Sequence, residues 1–204
     1  MTLNRVLLST TYFGPVQWYQ KLHRAEHVII EQWESFQKQT YRNRCLIATT
    51  NGVQALTVPV EKSAECIKDL RISDHGNWRH LHWNALQSAY GESPFFEYYQ
   101  DDIRPFYEKR WTFLLDFNEA IRQKMCELID ITPSVSFSTA YITDPQAIAV
   151  SDFRAAINPK HPAQDDDFKA KTYYQVYQTK HGFLENLSVL DLLFNMGPES
   201  IFYL

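Results

Sequence analysis

A basic, amide-rich cluster is the part of this sequence whose residue types point most directly to chemistry. Residues 37–45 read QKQTYRNRC, with three cations, three amide side chains and no acid. The chain as a whole has a net charge of −4, whereas this cluster is positively charged. Arginine presents forked N–H donors that suit carboxylates and phosphates. We therefore predict that Lys38, Arg42, Asn43 and Arg44 bind an anionic substrate, the alternative being a solvated loop that happens to be basic.

Hydroxyl groups follow the first predicted strand, immediately before Gly14 and Pro15. Ligands of open α/β sheets lie at the carboxyl ends of strands, and helix N-termini favour anions. We therefore predict that Thr10, Thr11 and Tyr12 contribute to the same substrate site. Ordinary turn chemistry capped by threonine is the alternative.

Two side chains are candidates for proton transfer. Glu31 ends the second predicted strand, where a carboxylate can act as a base or pair with Arg42 or Arg44. His80 is the other candidate, because His82 falls on the apolar stripe of its predicted helix. The nearby histidines give no metal pattern, since positions 80 and 82 of a helix point about 200° apart and no carboxylate is spaced to complete a site.

A βαβ unit at the start of the chain is predicted to position these candidates. Residues 5–9 and 27–31 are apolar strands, and between them Pro15 opens a helix over 16–25. This compact order implies a parallel pair. Asn51-Gly52 separates two further β-prone runs and predicts a hairpin, so we expect a mixed sheet.

The middle of the chain shows the apolar periodicity of helices, at about 78–90, from 94 onward and at 111–129. A short strand is predicted at 135–138, an irregular and mobile excursion at 139–167, and a capped helix after Ser188. The whole pattern predicts one α/β domain over residues 1–204. It has a Rossmann-like, mostly parallel (mixed) central sheet, a β-hairpin and a helical insertion at about 77–130.

Composition excludes several classes of function. Only six glycines are present, and neither a G-x-x-x-x-G-K-[ST] loop nor a G-x-G-x-x-G turn occurs. There is no signal-peptide pattern and no apolar run of about 18 residues. Three widely spaced cysteines predict reduced core thiols and, with the preceding points, a cytoplasmic location. The mild acidity makes nucleic acid an unexpected partner.

Several segments together resemble the WbqC-like protein family across nearly the whole chain. They are Thr11–Pro15, Ile30–Gln32, Tyr41–Cys45, Leu56–Val60, Ser88–Tyr90, Ser93–Phe96 and Asn186–Asn195. The R-N-R element and the closing N-L-S-x-x-D-L-L-F-N are the most specific of these, whereas residues 139–171 depart from the family pattern. The resemblance implies a bacterial protein of surface-polysaccharide (O-antigen) synthesis, acting on a glycan or sugar nucleotide by acyl or aminoacyl transfer.

We accordingly predict a transferase-type enzyme that needs no cofactor and binds a small phosphate- or carboxylate-bearing substrate, such as a nucleotide or nucleotide sugar. A non-catalytic nucleic-acid- or glycan-binding module is one alternative. An ATP-dependent ligase or nucleotidylyltransferase-like enzyme is another, because the strand–turn–helix–strand order is similar to those folds. Their H-x-G-H motif is absent, and residues 15–18 read PVQW instead. A homo-oligomer remains an open alternative.

Overall fold

Six strands and seven α-helices make up the computed structural model, which describes residues 3–61 and 64–204. The strands are β1 (Leu3–Ser9), β2 (Ala25–Glu31), β3 (Arg44–Thr49), β4 (Gly52–Thr57), β5 (Val135–Phe137) and β6 (Ser151–Asp152). The helices are α1 (Val16–Arg24), α2 (Trp78–Tyr90), α3 (Phe96–Ile103), α4 (Pro105–Glu108), α5 (Leu114–Leu128), α6 (Gln178–His181) and α7 (Val189–Met196). Short 3-10 helices lie at Ile67–Asp69, Gln146–Ile148 and Gly197–Tyr203.

A four-stranded parallel sheet in the order β5-β2-β1-β6 forms the centre of the fold. Successive side chains of β1 point to opposite faces of the sheet. Val6 and Leu8 therefore lie in the main core, while Leu7 packs on the other face with Ile29 and Val150. Because both faces are covered, the strands read as continuous apolar runs rather than as an alternating pattern. The predicted α/β class with a central parallel sheet is confirmed.

The predicted hairpin is present, but it forms its own two-stranded sheet. β3 and β4 pair antiparallel around a turn at residues 50–51, and Gly52, the first residue of β4, has a φ of 100°, the left-handed region that glycine tolerates. The expected mixed sheet does not arise, because β3 and β4 pair with each other and with no strand of the central sheet among the described residues. The central sheet is therefore parallel throughout.

The segment over residues 139–167 is largely irregular, as the sequence predicts, but it also forms part of the central sheet. It contributes β6, which pairs with Val6 and Leu7 of β1. Its Asp165 pairs at 2.8 Å with Lys21, whose side chain is fully buried. This segment therefore supplies the edge strand next to β1. Its sequence has no regular apolar pattern, so the strand could not be predicted from it.

The helices of the middle region share the main core with the sheet. Phe117 of α5 and Leu193 of α7 are fully buried in the same cluster as Leu8 of β1. Each predicted helix is present, although α5 begins at Leu114 rather than near residue 111. Within the described part of the chain, no helix is both long and apolar enough to cross a membrane.

Candidate functional site

The predicted basic cluster is divided between two clefts. Arg42 is only 4% exposed and lines a narrow space at the ends of β1 and β6. Lys38, Asn43 and Arg44 line a larger cavity beside the hairpin. β3 begins only at Arg44, so the strand alternation that would place Arg42 and Arg44 on one face does not extend back to Arg42.

The first cleft, which we call the strand-end crevice, lies where an α/β sheet usually keeps its ligand. Its lining residues are Ser9, Thr10, Thr11, Trp18, Tyr41, Arg42, Phe153, Arg154 and Ile157. β1 is flanked by β2, which follows it through α1, and by β6, which comes much later in the chain. The crevice is therefore at the topological switch point. Its volume is about 10 Å³, which is room for about one water molecule.

Arg42 is neutralised within the crevice wall. Its Nε donates to Oε1 of Glu34 at 2.8 Å, and its Nη2 contacts Oε2 of the same carboxylate. Nη2 also donates to Ser9 Oγ at 2.8 Å, and Ser9 in turn donates to Glu34 at 3.1 Å. The cluster contains no acid of its own, but Glu34, eight residues earlier, supplies one. Arg42 therefore acts as one half of a buried structural pair.

Glu31 also has a full set of hydrogen-bond donors. Its side chain is completely buried, and its Oε1 accepts from the backbone N of Trp33 at 2.9 Å and from Ser138 Oγ at 2.6 Å. Its Oε2 accepts from the backbone N of Ile142 at 2.9 Å and contacts Arg154 Nη1 at 3.4 Å. Glu31 thus ties the segment after β5 to the end of β2, and it pairs with Arg154 rather than with the predicted arginines.

His80 lies on a different part of the molecule. It is exposed on the first turn of α2, and its Nε2 accepts from the side-chain amide of Asn84 at 2.9 Å. Glu31 and His80 share no hydrogen-bond partner in the described chain. The two predicted proton-transfer residues are therefore not brought together.

Tyr12 faces the core rather than either cleft. It is fully buried, and its hydroxyl lies 2.9 Å from His82 Nδ1 and 2.8 Å from the hydroxyl of Tyr107. Burial raises the pKa of Tyr12 well above its usual value. Burial also lowers the pKa of His82 to about 4, so this histidine is neutral at pH 7. His82 occupies the apolar stripe, as the sequence predicts.

The start of α1 is closed by the segment that precedes α7. The backbone N of Val16 donates to the carbonyl of Leu187 at 3.0 Å, and the backbone N of Gln17 donates to Asn186 Oδ1 at 2.9 Å. These are the first N–H groups of the helix, which an anion would otherwise contact. The first turn therefore serves to join two parts of the chain.

Thr10 and Thr11 line the strand-end crevice and are 4% and 5% exposed. Thr11 Oγ1 has no hydrogen-bond partner in the described structure, and it packs against Cα of Gly14. A Cβ at position 14 would collide with that oxygen, so the close approach requires glycine there.

The second cleft, which we call the hairpin cavity, has a volume of about 470 Å³. It is lined by Ser35, Phe36, Lys38, Gln39, Asn43, Arg44, Thr57, Val60, Glu61, Ala64, Glu65 and Leu70. This volume is within the range of small-molecule sites, about 300–1,000 Å³. Three of the predicted substrate-binding residues therefore meet at a cavity of suitable size.

Strand pairing holds Arg44 at this cavity. Arg44 pairs with Thr57 across the hairpin, and its Nε donates to Thr57 Oγ1 at 3.0 Å. The next residue, Cys45, points the other way into the core, as the period of two of a strand requires. In the described chain Arg44 forms no ion pair, so the rest of its guanidinium is available to a ligand.

Asn43 forms part of the cavity wall. Its Nδ2 donates to the carbonyl of Val58 at 2.7 Å, which fixes the orientation of the amide. Its Oδ1 is buried and has no partner among the described residues. Lys38, in contrast, is exposed and forms no ion pair among the described residues.

The sequence did not identify four of the charged residues around these clefts. Glu34 and Arg154 complete the crevice, and Glu61 and Glu65 line the hairpin cavity. Spacing along the chain gives no signal for Arg154, which pairs with a residue 123 positions away. Glu34 could have been found, since it lies between the end of β2 and the basic cluster.

The three cysteines are free, but they differ in setting. Cys45 and Cys126 are buried, and burial raises the pKa of both thiols, that of Cys126 to about 11. Cys66 is partly exposed and donates to Asp69 at 3.2 Å, so the predicted core position is wrong for this residue. Raised pKa values leave thiols protonated and poorly nucleophilic.

Comparison with known proteins gives one family and one curated relative. The pattern that defines the WbqC-like protein family matches residues 10–203. The uncharacterised protein Rv1507c of Mycobacterium tuberculosis is 27% identical over an alignment of 223 positions, and the alignment covers 97% of this chain and 96% of that protein. No solved structure matches the chain.

Proposed function

The chain belongs to the WbqC-like protein family, and we propose that it is a transferase-type enzyme whose small phosphate- or carboxylate-bearing substrate binds in the hairpin cavity. The observation that carries this proposal is the presence of Lys38 and Arg44 at a cavity of about 470 Å³. A guanidinium held by one hydrogen bond and otherwise unpaired can form charge-assisted bonds with such an anion.

The family resemblance supports the proposed setting, which is modification of a glycan or sugar nucleotide in surface-polysaccharide synthesis. Acyl or aminoacyl transfer is the reaction type that we propose. Glu61 and Glu65 are the carboxylates that line the cavity, so they replace Glu31 and His80 as candidates for proton transfer.

The site can be tested by calorimetric titration of UDP-glucose and glucose 6-phosphate into the wild type and into Arg44→Met and Lys38→Met. A hydrogen bond to a charged group is worth about 1.5–3 kcal/mol, so Arg44→Met should weaken binding by about tenfold or more. Arg110→Met is the matched control, because Arg110 is 84% exposed and does not line the cavity. Equal affinities for the Arg44 and Arg110 variants would exclude the site.

Catalysis needs a separate experiment, because binding alone fits a non-catalytic module. A sugar nucleotide should gain the mass of an acyl or aminoacyl group when it is incubated with the protein and an activated donor. Pyrophosphate release from ATP would instead indicate the ligase alternative. Oligonucleotide binding that weakens steeply with salt would favour the nucleic-acid module and count against the enzyme.

A further inference from the structure

The hairpin cavity contains charges of both signs, contributed by different segments. Lys38 lies before β3 and Arg44 begins that strand, whereas Glu61 and Glu65 follow β4. The charges of these four lining residues cancel, since two positive and two negative groups sum to zero. In the described structure no ion pair joins any of them to another. The cavity therefore offers separate positive and negative groups to whatever enters it.

A ligand with only negative charge gains little from such a lining. Its attraction to Lys38 and Arg44 is opposed by repulsion from Glu61 and Glu65, because all four groups border the same space. A ligand with one anionic group and one ammonium group can pair with both sets. Its favourable contacts then add instead of cancelling.

The remaining wall determines what can connect these two groups. Phe36, Val60 and Leu70 also line the cavity, and they give it an apolar surface. Carbon-rich substrates bury well against such a surface. The part of the substrate that carries the charged groups can therefore be an apolar side chain or the face of a sugar ring.

We propose that the hairpin cavity selects a zwitterionic substrate, whose anionic group binds Lys38 and Arg44 and whose ammonium group binds Glu61 and Glu65. This inference rests on the proposed function and narrows its substrate class. Two sources share the required chemistry: an amino-sugar phosphate and a free amino acid with an apolar side chain.

Two matched ligand sets separate these sources. The first set is glucosamine 6-phosphate, glucose 6-phosphate and glucosamine. The second is leucine, 4-methylpentanoate and 3-methylbutylamine. Within each set the three compounds have closely similar carbon skeletons. The first carries both charged groups, the second only the anionic group and the third only the ammonium group. Calorimetric titration should show one zwitterion binding about tenfold tighter than its anion-only counterpart.

Glutamate variants then test whether these carboxylates cause the preference. Glu61→Gln and Glu65→Gln should lower the affinity for the zwitterion and leave that for its anion-only counterpart unchanged or raised. Glu97→Gln is the control, since Glu97 is an exposed acid on α3 that does not line the cavity.

The outcomes distinguish this inference from the proposed function. If glucose 6-phosphate binds in an Arg44-dependent way and as tightly as glucosamine 6-phosphate, the zwitterion preference is wrong and the anion site stands. Equally tight, Arg44-dependent binding of 4-methylpentanoate and leucine would have the same meaning for the second set. If no compound of either set binds but UDP-glucose binds in an Arg44-dependent way, the inference is wrong and the anion site stands. If UDP-glucose also fails to bind, the inference and the proposed site are both wrong.

Discussion

Replacing Arg42 with methionine is expected to unfold this protein at much lower denaturant concentration, even though Arg42 belongs to the basic cluster. The side chains of Arg42 and Glu34 are 5% and 7% exposed. Without the arginine, the Glu34 carboxylate keeps Ser9 Oγ as its one side-chain donor among the described residues. Removing one partner of a buried pair costs about 3–5 kcal/mol, mainly because the other charge stays buried.

The double variant Arg42→Met/Glu34→Leu distinguishes this cause from a simple loss of packing. Replacing both partners of a buried ion pair with apolar residues is often close to neutral in stability. The double variant should therefore be more stable than Arg42→Met alone, by about 2 kcal/mol or more if the uncompensated charge is the main cost.

Urea unfolding followed by circular dichroism gives the free energy of unfolding for the wild type, both single variants and the double variant. A thermal scan provides a second measurement, since about 2–4 °C per kcal/mol is typical of a domain of this size. The reasoning fails if Arg42→Met costs less than about 1 kcal/mol, or if the double variant is no more stable than Arg42→Met. Because of this cost, Arg42 variants are unsuitable for testing ligand binding.

Three further changes test other parts of the structure. Gly14→Ala should cost about 1–3 kcal/mol in urea unfolding, because its Cβ meets Thr11 Oγ1, and adding Thr11→Ala should recover part of the loss. Burial raises the pKa of Asp191 to about 6, above its unfolded value, so its stability contribution is present at low pH and lost as the pH rises. The free energy of unfolding, relative to Asp191→Asn, should thus fall by about 2 kcal/mol from about pH 4 to about pH 7. Asp165→Asn leaves the buried Lys21 without its charged partner, and hydrogen exchange should become faster over residues 141–168, with no change if this pair is unimportant.

Local signals in the sequence predicted most of the fold. The βαβ order, the Asn51-Gly52 turn and the periodicity of α2 each depend on residues within about one element, so they can be read directly from the chain. The cluster at 38–44 likewise marked residues that do line a cavity. The fold predictions succeed because neighbouring residues determine these elements.

The features that the sequence did not predict depend on contacts between distant residues. β6 has only two residues and is defined by its pairing with β1. Lys21 and Asp165 are 144 positions apart, and no local pattern relates them. The inward position of Arg42 depends on Glu34 and Ser9, which lie outside the basic cluster. Composition alone therefore identified a charged segment but did not show which of its arginines faces solvent.

The closing family-like segment, Asn186–Asn195, contacts the Thr11–Pro15 segment and so has a structural role of its own. Ser188 Oγ donates to the carbonyl of Phe13 at 2.7 Å, and the backbone N of Val189 donates to the carbonyl of Gly14 at 2.9 Å. The backbone N of Ser188 also donates to the carbonyl of Leu46 at 2.8 Å, which attaches the hairpin to the same junction.

This junction explains why a strongly patterned motif need not mark the chemistry. Its polar groups are matched with one another, as are those of Glu31 and Arg42, so they have little capacity left for a ligand. Arg44 and Glu61 differ, because they border open space and no ion pair between them satisfies their charges. The proposed substrate site therefore rests on Arg44 and Glu61, and they are the residues on which variant experiments should concentrate.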